Sequence, residues 1–476
     1  MKRKKIYVLI VELVVFILSG LLFFLLDNPN NNKTYLDLAR IGTVLCVVYS
    51  ILLCVIQKSI FNIVNLVFFS FWVFQYGLPV CYVIDDNYQN FYINLFENDI
   101  LVNGEIYSIL AIEVFAIVMS FMLIKGTNTE SKVIFERKSW TTNDKFVFKV
   151  GSILFLITSL VEVPLVVYAA YMTKKVGFFA AGTRSFLVSN SLFKAVEAFC
   201  VPSGFLTLIY ADSNKKKRVI LLILVIIDVL QLIAGDRTNG LSGLMAVAYY
   251  IVFSKEKKEK KNIGHQMLFA VVLIVLLILL VYVAVARVSD DSVKVSDVLS
   301  SDIIMSFLAE LGLNFTTICF VMSYIPVLNS FRFGGTYLAA FLCILPRSLD
   351  ILGILDEVRA SNPEMWLYST NHNIYGSLLD FGVGFSLIGE SYMNFSWFGL
   401  IAIGIIGILI MKFISHEFSK CGKWQQYMQI VLLICFMTFA RRSFYDLLKD
   451  IEYSIFGVAL VLFVAYQLSV KRKVLK

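Results

Sequence analysis

Charge is what this chain has least of. Asp, Glu, Lys and Arg make up 16% of its 476 residues, where soluble domains carry about 25%. With 59% hydrophobic residues and a mean hydropathy of +0.79, a soluble globular chain is excluded. Histidine is scarce, three in all, and the eight cysteines (Cys46, Cys54, Cys81, Cys200, Cys319, Cys343, Cys421, Cys435) contain no Cys-x-x-Cys pair and no Cys/His ligand spacing. Neither a zinc site nor a disulfide framework is indicated, and thiols inside apolar runs read as small hydrophobes. No internal repeat is visible, nor inverted halves with matching broken helices of the kind many transporters carry.

What is there is apolar length. Runs fall at 6–26, 38–57, 60–80, 106–124, 147–171, 190–210, 219–234, 241–254 and 267–286, then a weaker pair at 303–327 and 336–345, then 393–413, 427–440 and 452–470. A crossing of about 30 Å needs roughly 20 apolar residues, and the runs lack the alternation of barrel strands. The expected fold is therefore an all-α integral membrane protein of about 12–14 transmembrane helices, a single polytopic domain. The first run is too long for a signal-peptide core and has no small-residue cleavage site after it, so it reads as an uncleaved span.

The basic segments Lys2–Lys5, Lys125–Lys145, Lys215–Arg218, Lys255–Lys261 and Lys471–Lys476 all thread to one face, which the positive-inside rule makes cytoplasmic, with both termini there. The net charge of +8 is then a topology signal and implies no nucleic-acid partner. About 23 of the roughly 28 inner cations are Lys, whereas about 8 of the roughly 14 outer ones are Arg: Arg40, Arg184, Arg237, Arg287, Arg347, Arg359, Arg441 and Arg442. Arginine presents a planar fork suited to phosphate; it also snorkels at span ends.

Several stretches on that outer face carry possible chemistry. Gly235-Asp-Arg-Thr-Asn-Gly240 is a tight turn opening a helix, either an anion seat around Arg237 or a plain hairpin with Asp236 paired to Arg237. Arg287 starts an outer region spanning 287–392, which includes a membrane-crossing or re-entrant pair at 303–345 in one reading. Arg441-Arg442 at a span end needs a partner, either Asp446 or Asp450, or a substrate phosphate. The segment from Pro346-Arg347 through Arg359, Asn362-Pro363, Trp366 and His372 mixes aromatics with Asn, Asp and Arg, as a sugar-binding surface would. His372 is the one outer histidine. Glu390 stands at the start of the 393–413 run, either as a helix-start acid or, with His372, as a candidate general base.

At Gly334-Gly-Thr-Tyr337, Pro346, His372 and Gly384-Phe-Ser-Leu-Ile-Gly-Glu-Ser-Tyr-Met-Asn-Phe-Ser-Trp-Phe-Gly399 the chain resembles the Wzy-type polysaccharide polymerases of O-antigen and capsule assembly, best over 330–413. The resemblance implies a GT-C-like glycosyltransferase of the bacterial cytoplasmic membrane with one large extracytoplasmic loop late in the chain. It would join undecaprenyl-pyrophosphate-linked oligosaccharide repeat units on the outer face, with no metal, cofactor or nucleotide sugar. A flippase and a chain-length regulator are the implied protein partners. In that chemistry Arg237, Arg287, Arg441 and Arg442, with Arg347 and Arg359 behind them, would hold the pyrophosphate. Glu390 or His372 would act as base or acceptor-orienting group. Two rivals are an O-antigen-ligase-like transferase with a similar donor and a lipid-linked oligosaccharide flippase. A flippase needs charge lining a mid-membrane cavity, and mid-span charges are few (Glu113, Glu162, Asp228, Glu310).

Overall fold

The computed structural model describes residues 2–25, 32–57, 59–86, 88–126, 143–176, 191–254, parts of 264–281, 301–342, 362–376 and 384–474. Among these every element is helical, and no strand occurs. In chain order the helices are α1 (Lys2–Leu25), α2 (Asn32–Gln57), α3 (Ile63–Ile84), α4 (Asn98–Gly126), α5 (Asp144–Val176), α6 (Ser191–Tyr210), α7 (Asn214–Ile233), α8 (Arg237–Phe253), α9 (Ser301–Leu311), α10 (Asn314–Tyr324), α11 (Gly335–Leu342), α12 (Pro363–Tyr375), α13 (Leu387–Phe395), α14 (Gly399–Ile414), α15 (Lys423–Met437), α16 (Phe444–Ile451) and α17 (Val458–Val474).

Seven stretches among the described residues are long and apolar enough to cross a membrane: Lys5–Leu25, Thr34–Gln57, Ile63–Ile84, Asn98–Lys125, Asp144–Thr173, Leu387–Ile414 and Phe444–Val470. The pair α9 and α10, bent by 48° at the break between them, passes the same test only when taken together, as a broken span or a re-entrant loop. This is fewer than the twelve to fourteen expected from hydropathy, and the reasons are local. The runs at 219–234, 241–254 and 427–440 do become helices. However, α7 opens on a lysine-rich turn, and α8 and α15 have 17 and 15 residues, which at 1.5 Å per residue rise only about 22–26 Å. The described part of 336–345 is the eight-residue α11, about 12 Å long, too short to cross. The run at 267–286 lies partly outside the described residues.

The chain divides into two compact units. The first comprises Met1–Thr129, Ile304–Ser415 and Phe436–Lys449; the second comprises Glu130–Ile303, His416–Cys435 and Asp450–Lys476. In the second, α5 packs on α6 and α7 on α8, and the α7–α8 approach is close because Gly240 and Gly243 face Asp228 and Leu232 with no side chain between.

In the first unit α4 is the central strut, packed by α1, α2, α10 and α14. A second crossing in this unit, that of α3 with the α9–α10 break, depends on missing side chains. A Cβ on Gly312, at the break between α9 and α10, would collide with the backbone of Gly77 and Leu78 in α3, and one on Gly77 would sit 2.8 Å from Leu308 O. Another part of this unit is built on a buried cluster of Phe320, Val321, Tyr324, Ile325, Leu367, Phe385 and Met393, with Tyr92, Leu95 and Phe96 packed against it. The described parts of 287–392 are short helices that share this core with residues outside the region.

Candidate functional site

The site begins with a turn, Phe439–Arg441, a single 3-10 coil that ends the α15 chain segment. Phe439 is its anchor. Its ring lies nearly parallel to Phe71 of α3 at 5.0 Å and 5.6 Å from Phe115 of α4, and Phe71 and Phe115 are themselves 4.5 Å apart. Each such aromatic contact stabilises by about 0.5–1.5 kcal/mol beyond burial, so the backbone that carries Arg441 and Arg442 is pinned from two helices. Asn314 adds a side-chain bond, its Nδ2 donating to Ala440 O at 3.3 Å. Immediately after, Ser443 caps α16: its Oγ accepts from Asp446 N at 3.2 Å and donates to Asp446 Oδ2 at 2.9 Å. Ser443 is thus a side-chain N-cap whose hydroxyl bonds both the N–H and the carboxylate of Asp446.

Glu390 holds the same turn from the other side. It lies in the first turn of α13, whose N-cap Ser386 accepts from Ile388 N and Gly389 N and donates to Gln75 Oε1 at 2.7 Å. The Glu390 side chain is 0% exposed. Its Oε1 accepts from Thr336 Oγ1 at 2.6 Å, and its Oε2 accepts from the main-chain N–H of Phe444. Asn394, one turn on, donates to Thr336 Oγ1 (2.7 Å) and accepts from Gly334 N (3.0 Å). Backbone bonds from Arg332 N and Phe333 N to Met393 O and Asn394 O complete the seam. Gly334 is at φ +85°, a conformation that costs glycine nothing. The two stretches that carry the resemblance, 334–337 and 384–399, are therefore hydrogen-bonded to each other. Tyr337 stacks on Phe395 and meets Phe444 edge-on at 5.3 Å, and its buried hydroxyl has no hydrogen-bond partner among the described residues.

A third carboxyl joins from α12. Glu364 follows Pro363 in the first turn, where Asn362 caps the helix by accepting from Glu364 N at 2.8 Å. The Glu364 carboxyl is hydrogen-bonded to Asp446 and to the Ser443 N–H, with Arg442 beside it. Burial and the Asp446 carboxylate push its pKa up to about 8, against the opposing pull of Arg442 and Ser443 N–H. Sequence reasoning raised Asp446 only as an ion-pair partner for the arginines and did not single out Glu364, Thr336, Asn394 or Arg332. The Pro363-Glu364 helix start was the one available signal for Glu364.

The other expected residues fall out as follows. His372 lies exposed on α12 with its ring stacked on Tyr368, in surroundings unlike those of buried Glu390. Arg237 is the first residue of α8, after the cap Asp236, whose side chain accepts from Asn239 N; the Arg237 side chain is outside the described residues. Arg287, Arg347 and Arg359 also lie outside them. Arg40 pairs with Asp86 at 2.9 Å and Asp37 at 3.3 Å, which accounts without a ligand for one of the arginines expected on the outer face. Trp366 meets Tyr324 of that buried cluster edge-on, so this aromatic of the sugar-binding composition is spent partly on packing.

Among the described residues no group of three or more His, Cys, Asp or Glu is placed to hold a metal ion. No curated protein and no solved structure matches the chain. The family model of O-antigen polysaccharide polymerase Wzy matches residues 6–473, nearly its whole length. The chain belongs to the O-antigen polysaccharide polymerase Wzy family: it is a polytopic membrane enzyme that polymerises the repeat units of a surface polysaccharide, acting on lipid-linked oligosaccharide.

Proposed function

We propose that this polymerase works at the extracytoplasmic face of a bacterial cytoplasmic membrane through a GT-C-like arrangement, with both termini cytoplasmic and the 287–392 region outside. Donor and acceptor are both undecaprenyl-pyrophosphate-linked repeat units. The growing glycan moves from its pyrophosphate carrier to a sugar hydroxyl of the incoming unit, and polyprenyl pyrophosphate leaves. Arg441 and Arg442 neutralise the leaving pyrophosphate, fixed donors placed where charge develops.

The observation that carries this reading is the Phe439–Asp446 turn: two adjacent arginines on a backbone held by Phe71, Phe115, Asn314 and Glu390. Rigid placement of cations is what transition-state stabilisation requires. Of the two groups expected as base or acceptor-orienting group, Glu390 fits the orienting role, because both its oxygens already bind the protein. Arg237, Arg287, Arg347, Arg359 and His372 stand as candidates on their sequence positions alone. A flippase that delivers units and a chain-length regulator are the protein partners this chemistry calls for.

The test is complementation of a polymerase-deletion host. Arg237→Ala, Arg442→Ala and Glu390→Gln, at normal protein levels, should give single-unit glycan without long chains. Wild-type chain lengths from all three would sink the assignment. Polymer made by purified protein in a chelator, without ATP or nucleotide sugar, checks the donor class.

A further inference from the structure

The acceptor hydroxyl must lose a proton as it attacks. Glu390 is fully enclosed, with Thr336 Oγ1 on one oxygen and Phe444 N on the other. His372 is exposed and stacked on Tyr368, four residues earlier on the same helix. Glu364 and Asp446 differ from both. They come from α12 and α16, are hydrogen-bonded to each other, and stand beside Arg442. Neither is fully enclosed: both are partly exposed. The Ser443 hydroxyl fixes Asp446 by two bonds, and the Ser443 N–H approaches Glu364, so the pair is held by the very residue that follows Arg442.

Two buried polar atoms beside this turn have no hydrogen-bond partner among the described residues. Asn314 Oδ1, on a side chain 1% exposed, has no hydrogen bond although its amide nitrogen binds Ala440 O. The Tyr337 hydroxyl, enclosed between Phe395 and Phe444 and within electrostatic reach of Glu390, has none either. An unsatisfied buried polar atom costs about 1–3 kcal/mol. Such atoms gathered at one turn mark a place that hydroxyl groups, from sugar or water, complete.

We propose that the Glu364–Asp446 carboxyl pair is the proton acceptor of the polymerisation step, and that Glu390 is a positioning residue behind it. The proposal rests on the assignment of Arg441 and Arg442 to the pyrophosphate. The sugar oxygen of the incoming unit forms a bond to the anomeric carbon of the donor glycan. The bond from that carbon to the pyrophosphate oxygen breaks, and its electron pair leaves with the polyprenyl pyrophosphate, against the arginines. The hydroxyl proton passes to the carboxyl pair. Two carboxyls that share one proton behave as a unit, with one oxygen available as base. Among the described residues, Arg442 on its own turn and Glu390 from α13 act electrostatically on the pair.

The experiment uses the full-length protein in liposomes with lipid-linked repeat units, scored by turnover against pH and, separately, by binding of undecaprenyl pyrophosphate. Glu364→Gln and Asp446→Asn should lower kcat at least about 100-fold, the scale of a lost general base, while pyrophosphate-lipid binding stays within about threefold. Glu364→Asp should restore part of the rate with a shifted acid limb of the pH profile. Turnover within fivefold of wild type and an unchanged pH profile in Glu364→Gln and Asp446→Asn would overturn the proposal. So would loss of pyrophosphate-lipid binding in those variants, since that makes the pair a binding or folding element. Arg442→Ala separates the two readings: normal lipid binding there refutes the pyrophosphate seat, whatever the carboxyl variants do.

Discussion

The Glu390 carboxylate accepts the main-chain N–H of Phe444, the residue that opens α16. One side chain from α13 thereby caps a helix formed far along the chain, and through Thr336 it also fixes the start of α11. Replacing Glu390 by Ala strips both bonds. Hydrogen bonds to a charged group contribute about 1.5–3 kcal/mol each, so Glu390→Ala should lower the unfolding temperature in detergent by many degrees. Glu390→Gln should cost far less. Its Oε1 can still accept from Phe444 N, but its Nε2 must then donate to Thr336 Oγ1, which already accepts from Asn394. Equal melting of Ala and Gln variants, followed by fluorescence-detected size exclusion, would contradict this account.

Much of this was legible in the sequence, and the limit is physical. Apolar runs locate helices because burial dictates composition along a segment. They overcount spans where a run is short or begins on charge, as α7, α8 and α15 do. Glu390 was readable as a first-turn acid, and that is where it sits in α13. Its partners were not, because Thr336 and Phe444 meet it only through tertiary packing, which leaves no periodic trace. The Glu364–Asp446 pairing is hidden for the same reason: each residue alone is an ordinary acid near a helix start.

The pH dependence of stability gives a separate check on that pairing. Because the folded Glu364 carboxyl titrates near 8 rather than at its ordinary 4.5, the folded protein keeps a proton that the unfolded chain has released. Stability contributed by this group is present below the unfolded pKa and is lost as pH rises toward 8. Glu364→Gln does not titrate. The melting temperature of the variant relative to wild type should therefore climb from pH 5 to pH 8 and level off above. A flat or falling difference in matched detergent buffers would show that Glu364 is not held this way.

Gly312 tests the α3 crossing. Its Cβ would meet the backbone of Gly77 and Leu78, and backbone cannot swing aside as a side chain can. Gly312→Ala should destabilise by about 1–3 kcal/mol or more, the range for overpacking. Gly20→Ala in α1 is the control. Nothing lies within 4 Å of its Cβ position, so helix propensity alone should leave that variant unchanged or up to about 1 kcal/mol more stable. Similar losses from both substitutions would remove the close approach as the explanation.

The membrane interior of the first unit carries a second pairing that can be dissected in the same way. Ser120 Oγ of α4 donates to Glu12 Oε1 of α1 at 2.7 Å, and Ser19 Oγ of α1 donates to Glu113 Oε2 of α4 at 2.8 Å. Each helix thus presents a Glu and, two turns later, a Ser, and the crossed pairing makes α1 and α4 antiparallel. Tyr49 of α2 ties in through its hydroxyl to Glu12 O at 3.0 Å. Because α1 otherwise buries little of its length, these bonds are a main source of its register. In apolar surroundings such interhelical bonds average about 0.6 kcal/mol and reach about 1.7. A double-mutant cycle on Ser19→Ala and Glu113→Met, which leaves no acceptor for the serine hydroxyl, should return a coupling in that range. The cycle combining Ser19→Ala with Glu12→Met, whose wild-type residues share no hydrogen bond, should return a value near zero. Equal coupling in both cycles would mean that the acids act through bulk packing of α1 and not through the paired serines.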